Sequence, residues 1–349
     1  MADNPYSQLE DRAFWRRAVA DAGILGLSDL WRCKFDLPAR PSFATYGSCF
    51  AQHISRAVQA RGLPWVDAEP APAGTPEHVA RAFNYGVFSA RTANIYTTPQ
   101  FQEWVRLASD PACVEGVELW EEGGRYRDCL RPLIEPEGFS SIAEARQMLA
   151  TTARAVRMSV ETADVVVFTL GLTEGWEHRE TGQIYALCPG TQAGRFDPDV
   201  HVFRNYDYPA SRAALEAALD GVWRMNPSAR VLLTVSPVPL VATASGDHVL
   251  SAVGHAKAIL RAVAGDLSHA SDKVDYFPSY ELIAGAPSRA MFFAPDLRSV
   301  AAEGVALVME HVFAGLGIDV SREPGRTAEP TTDDDLVCDE RILERYEAD

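Results

Sequence analysis

Six consecutive residues, Val165-Val166-Val167-Phe168-Thr169-Leu170, limit what this chain can become more than any other stretch. β-Branched and aromatic side chains follow one another there without polar alternation. A strand of that kind is covered on both faces, and such strands belong to parallel sheets flanked by helices. Arg230-Val231-Leu232-Leu233-Thr234-Val235 repeats the pattern, and Val274-Asp275-Tyr276-Phe277 reads as the last core strand. Phe43-Ala44-Thr45-Tyr46-Gly47 is the first strand, and Leu63-Pro64-Trp65-Val66-Asp67 reads as the second. Helical segments alternate with these runs. Ser141-Ile142-Ala143-Glu144 is a capping box at the head of a helix reaching about Ala163, Ser211 to Met225 is amphipathic, and another helix runs from about Val249 to Leu267. The alternation predicts a three-layer α/β/α sandwich around a mostly parallel, five-stranded sheet.

Three units follow along the chain. Residues 1–41 form an N-terminal helical arm, with a helix expected over Asp11 to Val19 and a break at Pro38 and Pro41. Residues 42–320 form the α/β domain, and 321–349 an acidic tail, with an Asp333-Asp334-Asp335 run and little core of its own. Inside the domain, Leu119 to Tyr126 reads as a hairpin around Gly123-Gly124. Thr98-Pro99 opens a helix running to Ser109. Glu177 to Leu187 reads as an inserted hairpin, continued by an irregular loop from Cys188 to Asn205.

Charge narrows the partners. With 32 Lys and Arg against 48 Asp and Glu, the net charge is −16, a field that repels nucleic-acid backbones and anionic lipid. No apolar run approaches the ~20 residues that span a bilayer. Met1-Ala2-Asp3-Asn4-Pro5 lacks the basic-then-apolar layout of a secretion signal, so the expected location is the cytoplasm. The six cysteines (Cys33, Cys49, Cys113, Cys129, Cys188, Cys338) are scattered, without Cys-x-x-Cys or Cys/His spacing, and read as reduced thiols with no structural metal.

The chemistry centres on Gly47-Ser48-Cys49-Phe50-Ala51. Ile54, Ala57, Val58 and Arg61 then recur at helical spacing up to Gly62, giving strand, tight turn and helix. Ser48 is thereby expected at the carboxyl edge of a strand and the positive end of a helix, where developing negative charge is favoured. A plain turn with an N-cap serine fits the same residues. Cys49 offers a second nucleophile, since helix N-termini depress thiol pKa values.

Those five residues spell the motif of the GSCFA family, and the chain resembles that family from about Ser42 to Phe313. Asp164 to Trp176, Thr234-Val235-Ser236-Pro237-Val238 and Tyr276-Phe277-Pro278-Ser279-Tyr280-Glu281 resemble its further blocks, in order. GSCFA proteins in turn look like a branch of the SGNH (GDSL-like) hydrolases, whose sheet is flavodoxin-like. The resemblance implies that Ser48 is the nucleophile and that Gly86 supplies an oxyanion amide. It also places Gly171-Leu172-Thr173-Glu174 at the second site loop, where Thr173 stands in place of an asparagine donor. A threonine hydroxyl reaches less far than an amide. The family's late Asp-x-x-His is represented by Asp296, but three residues on is Ser299. Either another histidine approaches Ser48, or the site does not run the usual chemistry. His248, beyond a strand whose carboxyl end borders the site, is the leading candidate, with His201 and His255 behind it. Glu174 and His201 also count as candidate substrate-lining residues.

The function so implied is that of a serine esterase or O-acyltransferase, handling an acyl group, usually acetyl, on a carbohydrate or other small molecule. An acyl thioester such as acetyl-CoA is a possible donor, and no bound cofactor is required. The competing expectation is a catalytically silent module binding glycan or a protein partner in polysaccharide biosynthesis.

Overall fold

The computed structural model of the chain describes residues 4–318 and 336–346. In chain order its elements are β1 (Phe43–Gly47), α1 (Ala51–Ala60), α2 (Glu77–Ala82), α3 (Thr98–Ser109), β2 (Leu119–Glu122) and β3 (Arg125–Asp128). There follow α4 (Ile142–Thr162), β4 (Val165–Leu170), β5 (Glu174–His178), β6 (Ile184–Tyr185), β7 (His201–Asn205) and α5 (Tyr208–Met225). The chain continues through β8 (Arg230–Val235), α6 (Val249–Ala270), β9 (Val274–Phe277), α7 (Ser279–Ala284) and α8 (Ala302–Gly315). No helix among the described residues is long and apolar enough to cross a membrane.

The central sheet is parallel, in the order β1-β4-β8-β9, with Phe43 opposite Val165, Val165 opposite Arg230 and Val231 opposite Val274. Side chains alternate between its faces as strand geometry requires. Val166, Phe168 and Leu170 point into a core shared with α3, α4, α5 and α6. Val165 and Val167 point the other way, into a core closed by α1, α7 and α8. Both faces are dry, which is why these strands read as continuous apolar runs.

Four strands are formed where five were expected. Leu63 to Asp67 contributes a single parallel bridge, Trp65 to Phe43, with Val66 N–H donating to Phe43 O at 2.9 Å. Pairing stops there because the Thr45 N–H is taken by the Ser89 hydroxyl at 3.0 Å, and Ala68 N–H turns to Ser89 O. The arm also differs from expectation. Asp11 to Val19 gives only a 3₁₀ turn over Asp11–Ala13 and a wider turn over Arg16–Ala20, neither with a buried residue. A short helix with no packed face is marginal in water. Further on, the arm packs Ile24 and Trp31 into the second core, and Cys33 N–H donates to Gly315 O at 2.9 Å.

Two more boundaries move. The insertion after β4 is a three-stranded antiparallel sheet in the order β6-β5-β7, beginning at Glu174 and recruiting residues 201–205 that read as loop. In the acidic tail, 321–335 lie outside the described residues, but Leu336 is buried in the second core and Asp339–Tyr346 forms a helical turn against the domain.

Candidate functional site

The site begins where β1 stops. Gly47 has φ +132°, and a Cβ there would lie 2.4 Å from Thr169 O, so only glycine lets the chain pass β4 this closely. Ser48 N–H donates to Thr169 O at 3.1 Å, and Ala51 N–H returns to Ser48 O at 2.9 Å as the chain winds into α1. Ser48 is 2% exposed, and its Oγ has no hydrogen-bond partner among the described residues. A buried hydroxyl left unpaired costs about 1–3 kcal/mol, so its retention calls for a reason.

Two further segments meet this serine. At the end of β4, a Cβ on Gly171 would come within 3.0 Å of Ser48 Cβ and 3.2 Å of Tyr96 O. Residues Asn94 to Tyr96 cross the same edge: Ile95 N–H donates to Gly47 O at 2.9 Å, and the N–H groups of Gly171 and Leu172 donate to Tyr96 O at 3.1 and 2.8 Å. Gly171 thus passes close beside Ser48, with no room between them for a side chain on Gly171. Thr173 is buried next along the chain, but its hydroxyl donates to Asn205 Oδ1 at 2.8 Å. Glu174 accepts from Thr243 Oγ1 at 2.6 Å and from Ala244 N–H, at the wall of an adjoining cavity.

The other sequence candidates are engaged elsewhere. His248 is exposed and caps α6, its Nδ1 accepting from Leu250 N–H at 3.2 Å. Asp296 is exposed and closes a turn, accepting from Arg298 N–H at 2.9 Å, Ser299 N–H at 3.0 Å and Ser299 Oγ at 2.7 Å. Gly86 lies in an exposed turn at φ +69°, with open space where a Cβ would stand. His201 is buried on β7 between the Tyr185 and Phe196 rings, its Nδ1 accepting from Asp197 N–H at 3.0 Å, and burial lowers its pKa. His255 is an exposed residue of α6. None of these side chains bonds Ser48 Oγ.

The C-terminal segment docks on residues that flank this turn. Gln52, one turn into α1, pairs with Val337 in both directions, donating to its carbonyl at 2.6 Å and accepting from its N–H at 3.1 Å. Asn94 Nδ2 donates to Val337 O at 3.0 Å and to Asp339 Oδ2 at 2.9 Å. Glu340 N–H donates to the Tyr96 hydroxyl at 3.2 Å. Cys338 is hydrogen-bonded to Cys49, which lowers the Cys338 pKa. The Glu340 carboxylate accepts from Val241 N–H at 3.1 Å and faces Arg298 at 3.5 Å. Behind it, Lys257 Nζ donates to Gly171 O at 2.8 Å. Burial drives the Lys257 ammonium from its ordinary 10.5 down to about 8, against the opposing pull of Glu340 and Cys49. Burial likewise raises the Asp339 and Glu340 carboxyls.

Beside Ser48's loops lies a cavity of about 340 Å³, lined mainly by apolar groups that include Tyr96, Leu172, Trp176, Phe203, Leu240 and Leu343. Sequence reasoning missed Gln52, Asn94, Tyr96, Arg298 and Glu340 as site residues. Lys257 did carry a signal, because it shares the inward face of α6 with Leu260 and Ala264, where an unpaired amine is costly.

The sequence profile of the GSCFA family matches residues 42–312, and the chain belongs to that family. No curated protein matches it.

Proposed function

We propose that this GSCFA protein is an SGNH-like serine acyl-transfer enzyme, an esterase or O-acyltransferase with Ser48 as nucleophile and Lys257 as its proton acceptor. The observation that carries the reading is the buried, unpartnered Ser48 hydroxyl at a strand-to-helix turn, pressed against Gly171, whose carbonyl is held by a desolvated amine. In the proposed reaction Ser48 Oγ attacks an ester or thioester carbonyl while its proton passes to neutral Lys257. The tetrahedral intermediate then expels an alcohol or thiol, which takes the proton from the Lys257 ammonium. Water or a sugar hydroxyl removes the acyl group from Ser48 by the same steps. Asn94, whose amide hydrogens now go to Val337 and Asp339, would be the oxyanion donor in this reading once that segment is displaced. By family resemblance the acceptor or leaving group is a carbohydrate hydroxyl. The apolar cavity then takes the acyl portion.

A fluorophosphonate probe tests this. Labelling in the native protein and none in Ser48→Ala is the expected result. The labelling rate should rise with pH through about 8, as a neutral amine base requires, and Lys257→Met should lose that rise. A profile centred near 6.5 would return the base role to a histidine. A second reading, a silent recognition module, draws on the docking of residues 337–340 onto Asn94 and Tyr96, beside the turn that carries Ser48. It predicts a folded protein that takes no label at any pH.

A further inference from the structure

The C-terminal segment is bound the way a ligand is bound. Side chains from two separate parts of the domain, Gln52 on α1 and Asn94 and Tyr96 on the crossing loop, read the backbone of residues 337–340. Its buried acid, Glu340, ends in a cradle made by the Val241 N–H at 3.1 Å and the Arg298 guanidinium at 3.5 Å. Lys257, 1% exposed, adds positive charge behind them. Glu340, Leu343 and Tyr346 then form part of the wall of the apolar cavity, together with Leu172 and Trp176. Acid and apolar side chains of one segment thus sit side by side, one at a cationic cradle and the others along an apolar hollow.

As a device for stability alone this pair is poorly made. Burying charges costs several kcal/mol per ion unless geometry is close, and here the guanidinium stands at the long limit of a hydrogen bond. As a subsite it is well made, since a fixed N–H and a partly buried guanidinium select a carboxylate.

We propose that Arg298 and the Val241 N–H form a carboxylate-binding subsite beside the apolar cavity, that Glu340 occupies it as an internal ligand, and that the external ligand is an amphipathic carboxylate. Such a ligand places its carboxylate in the cradle and its apolar body in the cavity. The inference rests on reading this cavity as the substrate pocket, but its test makes no use of Ser48 chemistry.

The test uses the full chain. Octanoate titrated calorimetrically into Glu340→Ala should bind about tenfold or more tighter than to the native protein, where it must compete with a tethered carboxylate. Glu340→Ala combined with Arg298→Gln should lose that gain, and 1-octanol should not distinguish the three. Equal octanoate binding by native and Glu340→Ala chains overturns the proposal, as does a gain that survives the loss of Arg298. If Glu340→Ala folds poorly, refolding in acetate against chloride at matched ionic strength decides the same question: recovery specific to acetate supports the subsite, and equal recovery sinks it. Octanoate binding without fluorophosphonate labelling would leave the subsite standing and remove the catalytic reading, and the reverse result would do the opposite.

Discussion

Among the described residues, two clusters of buried charge are built differently. In the first, Arg131 and Asp128 are both fully buried, joined by the Arg131 Nε at 3.0 Å and the Arg131 N–H at 2.9 Å. Arg131 also reaches Thr152 Oγ1 at 2.6 Å and Arg91 O at 3.0 Å, and Thr152 passes the chain of bonds to Glu69, which accepts from Arg91 N–H. This cluster ties the irregular stretches around Glu69, Arg91 and Arg131 onto α4, where no sheet ladder holds them. In the second, Lys257, Arg298 and Glu340 meet with longer contacts, and one partner comes from the C-terminal segment. Short multiple bonds between parts that never separate belong to a scaffold. Looser pairing across a removable segment belongs to a site that exchanges its occupant.

Breaking the first cluster should have the largest consequence. Asp128→Ala leaves the Arg131 guanidinium buried without its partner, and a loss of about 3–5 kcal/mol is expected in urea unfolding. Glu340→Ala should cost less, about 1–3 kcal/mol by the same measurement, because the segment can lift and let water reach the two cations. A loss equal to that of Asp128→Ala would erase the distinction between the clusters.

Lys257 sharpens the comparison through pH. Its folded pKa of about 8 lies below the ordinary 10.5, so between those values the unfolded chain binds more protons than the folded one, and stability must rise with pH. Thermal unfolding from pH 8 to 10.5 should show that rise in the native protein and a flatter course in Lys257→Met. The smallest effect belongs to an ion pair outside either cluster. Arg157→Ala, which breaks the surface pair with Glu161 at 2.8 Å on α4, should change stability by only about 0.3–0.5 kcal/mol.

Much of the scaffold was legible before any coordinates. The runs at 165–170 and 230–235 are central strands because both their faces are covered, and Ser141 caps α4, its hydroxyl accepting from Glu144 N–H at 3.1 Å, while the Glu144 carboxylate turns to Ser140 and leaves the expected box half formed. Helix starts were read to within a few residues. The cap of α3 is Thr97, one residue earlier than Thr98-Pro99 suggested, and α5 starts at Tyr208 behind Asp207. The fifth strand was not legible, because a single hydroxyl, Ser89, competes for the backbone donor that a ladder would need. In the site, Ser48 and Gly171 came from a local motif, whereas His248 was ranked by its place after a strand, and its side chain proved to be a helix cap.

The amino-acid sequence alone determined the layered α/β architecture, the strand-turn-helix that carries Ser48, and the family, because each depends on neighbours within a few residues or on the burial pattern of one element. Only the tertiary structure decided which distant groups gather at this edge of the sheet. Asn94, Gly171, Val241, Lys257, Arg298 and Glu340 are brought together by sheet order and by the docking of a terminal segment, and no local spacing encodes a meeting of residues so far apart in the chain.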